Sequence, residues 1–214
     1  MNNELENKIN EWPGLKAKRN FFSKNMLKKI KTQINKAKFD CVYQERESHY
    51  SHVFKSMNDR ITESDEVYIA NFYQAVDNDT KVFLKDIVAP IIGKEIKRVM
   101  PKVRNIMTPQ LMRFSPGSFL RTHVDDYAGE AGYTIFINEG WKWDFGGILS
   151  FVSQAGDTAL PIFPEDNLAI IRDESKKSFH FVSQQTAYSN SDQYLFVGWA
   201  SDKISHKKFD YLPI

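Results

Sequence analysis

Residues 113–126 read RFSPGSFLRTHVDD, and the chain is best understood outward from the pair His123 and Asp125 inside that stretch. A histidine and a carboxylate two positions apart on an extended segment point to the same face of a sheet, because the strand repeat is two residues. If a second histidine returns to that face, the three side chains form the two-histidine, one-carboxylate set that holds non-haem Fe(II) and leaves coordination positions open. His180 is the candidate. Taken alone, His-x-Asp occurs in many chains as a turn histidine beside a capping aspartate, so the surrounding sequence has to carry the assignment.

The whole chain limits the choices. At 214 residues it is long enough to bury a sizeable core in one domain, and 42% hydrophobic with 14% aromatic residues is a globular composition. The formal charge of +2 is near balance, which provides no general field for nucleic acid. The single cysteine, Cys41, has no internal partner for a disulfide, as expected in a reducing compartment. The N-terminus is polar, and no stretch approaches the roughly 18 continuous apolar residues of a membrane span. The expectation is a soluble, cytoplasmic protein.

Residues 1–18 are polar and read as peripheral, with a turn at Trp12-Pro13-Gly14. Ser23 is a good N-cap for a helix whose apolar side carries Met26, Leu27, Ile30, Ile34 and Ala37, and the lysines between them read as a solvated face. Tyr43 to Arg60 lacks a clean period and is expected to be a loop, with residues 43–66 a candidate lid over a site; His49 and His52 there are expected to face water. Residues 67–75 and 81–99 are expected to be helical, the second reset by Pro90. After Pro101 the period changes. Runs rich in branched and aromatic residues at about 107–114, 118–124, 133–138, 147–152, 168–172, 179–184 and 193–199 predict strands of a sandwich or barrel. The class is therefore α+β, with residues 1–100 as helical support integral to one domain and 101–214 as its β core.

Five motifs then occur in order: RFSPGSFLRTHVDD, YTIFIN (133–138), FGGILSF (145–151), FHFV (179–182) and YLFVGW (194–199). Together they resemble the catalytic core of Fe(II)- and 2-oxoglutarate-dependent oxygenases, most closely the prolyl-4-hydroxylase-like branch, and NFFSKNMLKKIKTQI (20–34) is similar to that family's entry segment. The resemblance implies a double-stranded β-helix, or jelly roll, of about eight strands. It implies Fe(II) on His123, Asp125 and His180, 2-oxoglutarate as cosubstrate, and hydroxylation of an unactivated C–H bond with dioxygen. Substrates it suggests are a prolyl or other amino-acid residue of a peptide, or a small biosynthetic intermediate; neither a nucleic acid nor a membrane is an expected partner. A carboxylate at Asp125 also favours hydroxylation over halogenation, which needs that coordination position free.

Two residues depart from the family pattern. Gln193 stands where the family places an arginine or lysine that pairs with the distal carboxylate of 2-oxoglutarate, and Phe114 stands where it places a tyrosine. An amide donates hydrogen bonds but supplies no charge-assisted pairing. Three explanations remain open: a cation elsewhere has taken over, with Arg121 and Arg113 the first candidates by proximity in sequence; the strand register differs; or the cosubstrate is bound weakly, replaced or absent. Alternative functions are a non-catalytic module of the same fold, or an iron oxygenase that does not use 2-oxoglutarate. Tyr127, Tyr133, Trp141, Trp143 and Tyr188 are candidates to pack a substrate, while Asp126 and His206 are expected to lie outside the metal site.

Overall fold

Thirteen strands of one antiparallel sheet, with four α-helices, account for most of the computed structural model, which describes residues 4–44, 70–125, 129–153, 155–176, 179–203 and 210–214. In chain order these are α1 (Glu4–Glu11), β1 (Leu15–Lys18), α2 (Lys24–Ile34), β2 (Phe39–Gln44), β3 (Ala70–Ala75), α3 (Asn78–Phe83), a π-turn (Leu84–Val88) and α4 (Ala89–Val99). There follow β4 (Asn105–Met107), β5 (Gln110–Phe114), β6 (Phe119–His123), β7 (Ala131–Phe136), β8 (Leu149–Val152) and β9 (Ala159–Ile162). The chain ends with β10 (Ala169–Asp173), β11 (Phe179–Val182), β12 (Gln193–Ser201) and β13 (Tyr211–Pro213). The sheet runs β1-β10-β7-β12-β5-β3-β6-β11-β8-β9, with β2, β4 and β13 paired off this path. It curls so that β10 and β7 face β6 and β11 across an interior, which is the jelly-roll core expected from the sequence.

The two-residue repeat sorts the strands into two cores. Leu111, Tyr133, Ile135, Ala169, Ile171 and Phe196 point outward, where Ile30 and Ile34 of α2 and Ile92 and Ile96 of α4 cover them. Their neighbours Met112, Phe114, Phe136, Ile170 and Leu195 point inward with Phe72, Leu149, Phe151 and Val182. β7 is buried at every position because both of its faces are covered. The helices thus clamp one face of the sheet, and the other face encloses the cavity.

Several expectations change. Residues 70–75 are strand β3 and not helix, pairing with β2, β5 and β6; Phe72 and Gln74 turn inward at a period of two, and this tertiary pairing overrides a helical reading of an aromatic-rich run. Residues 4–18 are not peripheral: Ile9 and Leu15 are fully buried, and β1 pairs with β10 as an edge strand. Pro90 sits in the first turn of α4, where its missing N–H costs nothing, and the π-turn before it absorbs the change of phase. Most of the candidate lid, with His49 and His52, lies outside the described residues, as do Asp126, Tyr127 and His206. Among the described residues, no helix is long and apolar enough to cross a membrane.

A buried amide side chain ties the N-terminal segment to the core. Asn167, in a left-handed conformation (φ 63°), accepts a hydrogen bond from the Phe22 amide and donates one to the Phe22 carbonyl, both at 2.8 Å. Asn167→Ala strands both buried backbone groups and places a β-carbon in a conformation it disfavours. A loss of about 2–4 kcal/mol in urea unfolding is expected.

Candidate metal centre

The turn at Pro116-Gly117 launches β6. Gly117 has φ 90°, its amide donates to the Gln185 carbonyl, and the Gln185 amide donates back to Ser118, so the turn is tied to the segment after β11. β6 and β11 then run side by side with His123 opposite His180. Directly opposed residues of an antiparallel pair share a face, and the two imidazole centroids are 4.1 Å apart. A bulge between this pair and Val182–Leu120 lets both Leu120 and His123 face the interior although three positions separate them.

Asp125 lies two residues past the end of β6, so strand periodicity alone does not aim it. Arg172 does. Its Nη2 donates to Asp125 Oδ2 at 2.9 Å, its Nη1 to Thr134 Oγ1 at 3.0 Å and its Nε to Glu174 Oε1 at 2.9 Å. Held in this way, Asp125 Oδ1 is 3.5 Å from His123 Nε2 and Oδ2 is 3.4 Å from His180 Nε2. One donor atom from each of the three residues falls within 4.8 Å of the others, and all three side chains are buried. Adjacent donors around a first-row ion at roughly 2.1 Å stand about 3 Å apart, so the group needs only a slight contraction to close on a metal. His123 Nδ1 lies 2.8 Å from the Arg121 carbonyl, which fixes the proton on Nδ1 and leaves the Nε2 lone pair for a metal.

The electrostatics favour the same protonation states. Burial, reinforced by His180 and Arg172 and opposed by Asp125, pushes the His123 pKa down to about 4, so the ring is neutral at pH 7. Burial alone would raise the Asp125 pKa, but His123, His180 and Arg172 outweigh it and hold the group below the usual carboxylate range. Burial raises the Glu174 pKa against the pull of Arg172.

Arg172 reaches Asp125 because of Gly132. In β10–β7–β12, Arg172 and Trp199 both pair with Gly132. A β-carbon at that glycine would fall onto the Glu174 carboxylate and the Arg172 guanidinium. The sequence offered one signal for Arg172: a charged residue directly after the apolar run Ala169-Ile170-Ile171 of a strand, where a buried charge needs partners. Thr134 and Glu174 carry no comparable mark.

His123, Asp125, His180, Arg172 and Thr134 line a cavity of about 200 Å³. Its remaining walls are apolar side chains from β2, β3, β5, β6, β7, β8, β11 and β12, together with Gln74, Gln110, Gln193 and Trp199. Gln193 and Phe114 are both fully buried and line it as neighbours on β12 and β5, with Phe114 stacked on Phe72. The two arginines nominated from the sequence lie elsewhere. Arg113 is on the opposite face of β5, over the rings of Tyr73 and Phe39 and 3.7 Å from Asp192, and Arg121 is exposed on β6. Tyr133 is buried in the outer core, Trp141 packs on Phe145, Trp143 stacks on Phe163, and Tyr188 is exposed, so none of them lines the cavity.

No family model and no curated protein matches the sequence. Solved structures do match the fold. A Pseudomonas putida prolyl-4-hydroxylase superposes with a TM-score of 0.60 at 13% identity, over 94% of this chain and 98% of that one. A Burkholderia pseudomallei oxidoreductase of the 2OG-Fe(II) oxygenase family gives 0.61 at 15% identity, over 94% and 90%. HygX from Streptomyces hygroscopicus, solved with nickel and 2-oxoglutarate bound, gives 0.57 at 8% identity, over 92% and 86%. The chain shares their fold.

Two outcomes test the site. Because folding depresses the His123 pKa from 6.5 to about 4, the unfolded chain binds more protons between those values, and stability falls as pH drops through that window. The metal-free protein is expected to lose up to about 3 kcal/mol between pH 7 and 4 from this group, read from urea midpoints, and His123→Gln flattens that slope. Gly132→Ala, which crowds Arg172 and Glu174, is expected to cost about 1–3 kcal/mol at pH 7.

Proposed function

We propose that the protein is a non-haem Fe(II) oxygenase that uses a 2-oxo acid as cosubstrate and hydroxylates an unactivated C–H bond. The observation that carries this reading is the convergence of His123, Asp125 and His180, buried and within 4.8 Å, in a cavity of a jelly-roll fold. Shared fold with 2OG-Fe(II) oxygenases supports it. The donor set fits iron: two imidazoles and one carboxylate leave three positions of an octahedron open.

Iron held there would supply dioxygen activation coupled to loss of carbon dioxide from the 2-oxo acid. One oxygen atom then ends in the product carboxylate and the other in the substrate hydroxyl. The chain's own contribution is positional. His123 is fixed by the Arg121 carbonyl and Asp125 by Arg172, so two of the three donors are oriented before metal arrives. Leu120, Phe136, Leu149, Phe151 and Val182 exclude bulk water around them. The surrounding wall offers no acid or base of its own for hydrolytic chemistry beyond this cluster, among the described residues. The substrate class suggested by the sequence is an amino-acid residue of a peptide or a small biosynthetic intermediate, and Gln74 and Gln110 line the cavity with neutral amides.

The decisive experiment has two parts. Fe(II) or Mn(II) binding, followed anaerobically, is expected at one ion per chain and to weaken at least about 100-fold in His123→Ala, Asp125→Ala and His180→Ala. Oxygen uptake by the Fe(II)-loaded protein is expected to require a 2-oxo acid and to vanish in the same variants. Stoichiometric metal binding without any 2-oxo-acid-dependent oxygen uptake would reject the oxygenase assignment.

A further inference from the structure

Among the described residues, the cavity carries charge at one end only. Among its described lining residues the charged groups are Asp125 and Arg172, which contact each other beside the two histidines. Arg172 reaches the level of Thr134, and Thr134 pairs with Val197 of β12. Gln193 is four residues further along β12, roughly 13 Å of strand. The far end is therefore built without Arg172. It consists of Gln193 with Phe114, Leu149, Val182 and Leu195.

Gln193 is poorly suited to a second anion. It is neutral and fully buried, one N–H of its Nε2 donates to the Gly147 carbonyl at 2.9 Å, and its Oε1 has no hydrogen-bond partner among the described residues. The Gly147 carbonyl accepts only a donor, so it fixes the amide with its oxygen as the unpaired atom. Gly147 has φ 64°, and a β-carbon there would stand 3.0 Å from that Oε1, so the glycine makes room for the amide. A carboxylate brought to this end would meet apolar walls and a neutral amide with one N–H already used, and no cation among the described residues. A buried carboxylate without a cation costs several kcal/mol, whereas an uncharged tail brings no charge to desolvate and fills apolar space.

Resting on the oxygenase reading above, we propose that Gln193 sets cosubstrate specificity, and that the cavity selects a 2-oxo acid with an uncharged tail over the dicarboxylate 2-oxoglutarate. The single carboxylate of such a ligand stays at the metal end, beside Arg172, and the tail enters the pocket closed by Gln193 and Phe114.

The test is anaerobic calorimetry on the Mn(II)-loaded, full-length protein with two probes of equal carbon number, 2-oxopentanoate and 2-oxoglutarate. The wild type is expected to bind 2-oxopentanoate at least about tenfold more tightly, a difference of about 1.4 kcal/mol. Gln193→Arg is expected to reverse the order, and Gln193→Leu to keep it. Tighter binding of 2-oxoglutarate by the wild type overturns the proposal, and this comparison needs no variant to fold. An unchanged order in a folded, Mn(II)-binding Gln193→Arg protein overturns it as well. Mn(II) binding with neither acid bound rejects this inference while the metal centre stands, and absence of Mn(II) binding removes the oxygenase reading itself.

Discussion

A guanidinium in a protein interior has to be met by anions and hydrogen-bond acceptors, and much of this molecule depends on how Arg172 is met. Its three nitrogens are divided among Asp125, Thr134 and Glu174, which come from the end of β6, from β7 and from the turn after β10. The cluster therefore joins two walls of the curled sheet across its interior. Breaking one partner would leave a buried charge uncompensated, a cost of several kcal/mol. The same contacts aim Asp125 at His123 and His180 although Asp125 has left the strand. Gly132 is the steric condition for all of this, because only a residue without a β-carbon lets the arginine side chain cross β7.

The asymmetry of the cavity follows from the same strands. Inward positions at one end carry His123, His180, Thr134 and Arg172, while those at the other carry Phe114, Leu149, Val182, Leu195 and the pinned amide of Gln193. The outer face of the sheet is occupied by a separate apolar core under α2 and α4, so the interior is free to hold polar chemistry without weakening the clamp that shapes it. The charged groups among the described lining residues are concentrated where a metal would sit, and the described residues at the opposite end carry none.

Legibility in the sequence varied with the range of the interactions involved. The β core was readable because its strands alternate with a period of two and are separated by turn residues, and because five motifs keep their order. Residues 70–75 misled, since NFYQA has no strand-specific signal of its own and becomes β3 only by pairing with β2, β5 and β6. Ile9 and Leu15 looked peripheral because a short amphipathic segment with two buried side chains resembles a polar tail. Arg113 and Arg121 were nominated by proximity in sequence, yet strand alternation turns Arg113 to the outer face, and Arg121 sits within the bulged part of β6.

What the sequence determined by itself was the list of donors and their local spacing. His123 and Asp125 are close by covalent geometry, His180 was marked by its aromatic-flanked strand, and Gln193 was marked as an amide where a cation was expected. Only the tertiary structure decided which charge serves the site. Arg172 is 47 residues from Asp125 along the chain, and their 2.9 Å contact exists only once β10 and the end of β6 face each other across the closed sheet. The same closure decided that Gln193 ends a pocket whose described walls offer it no cation, because the direction of a side chain on a strand is local while the identity of the group opposite it is not.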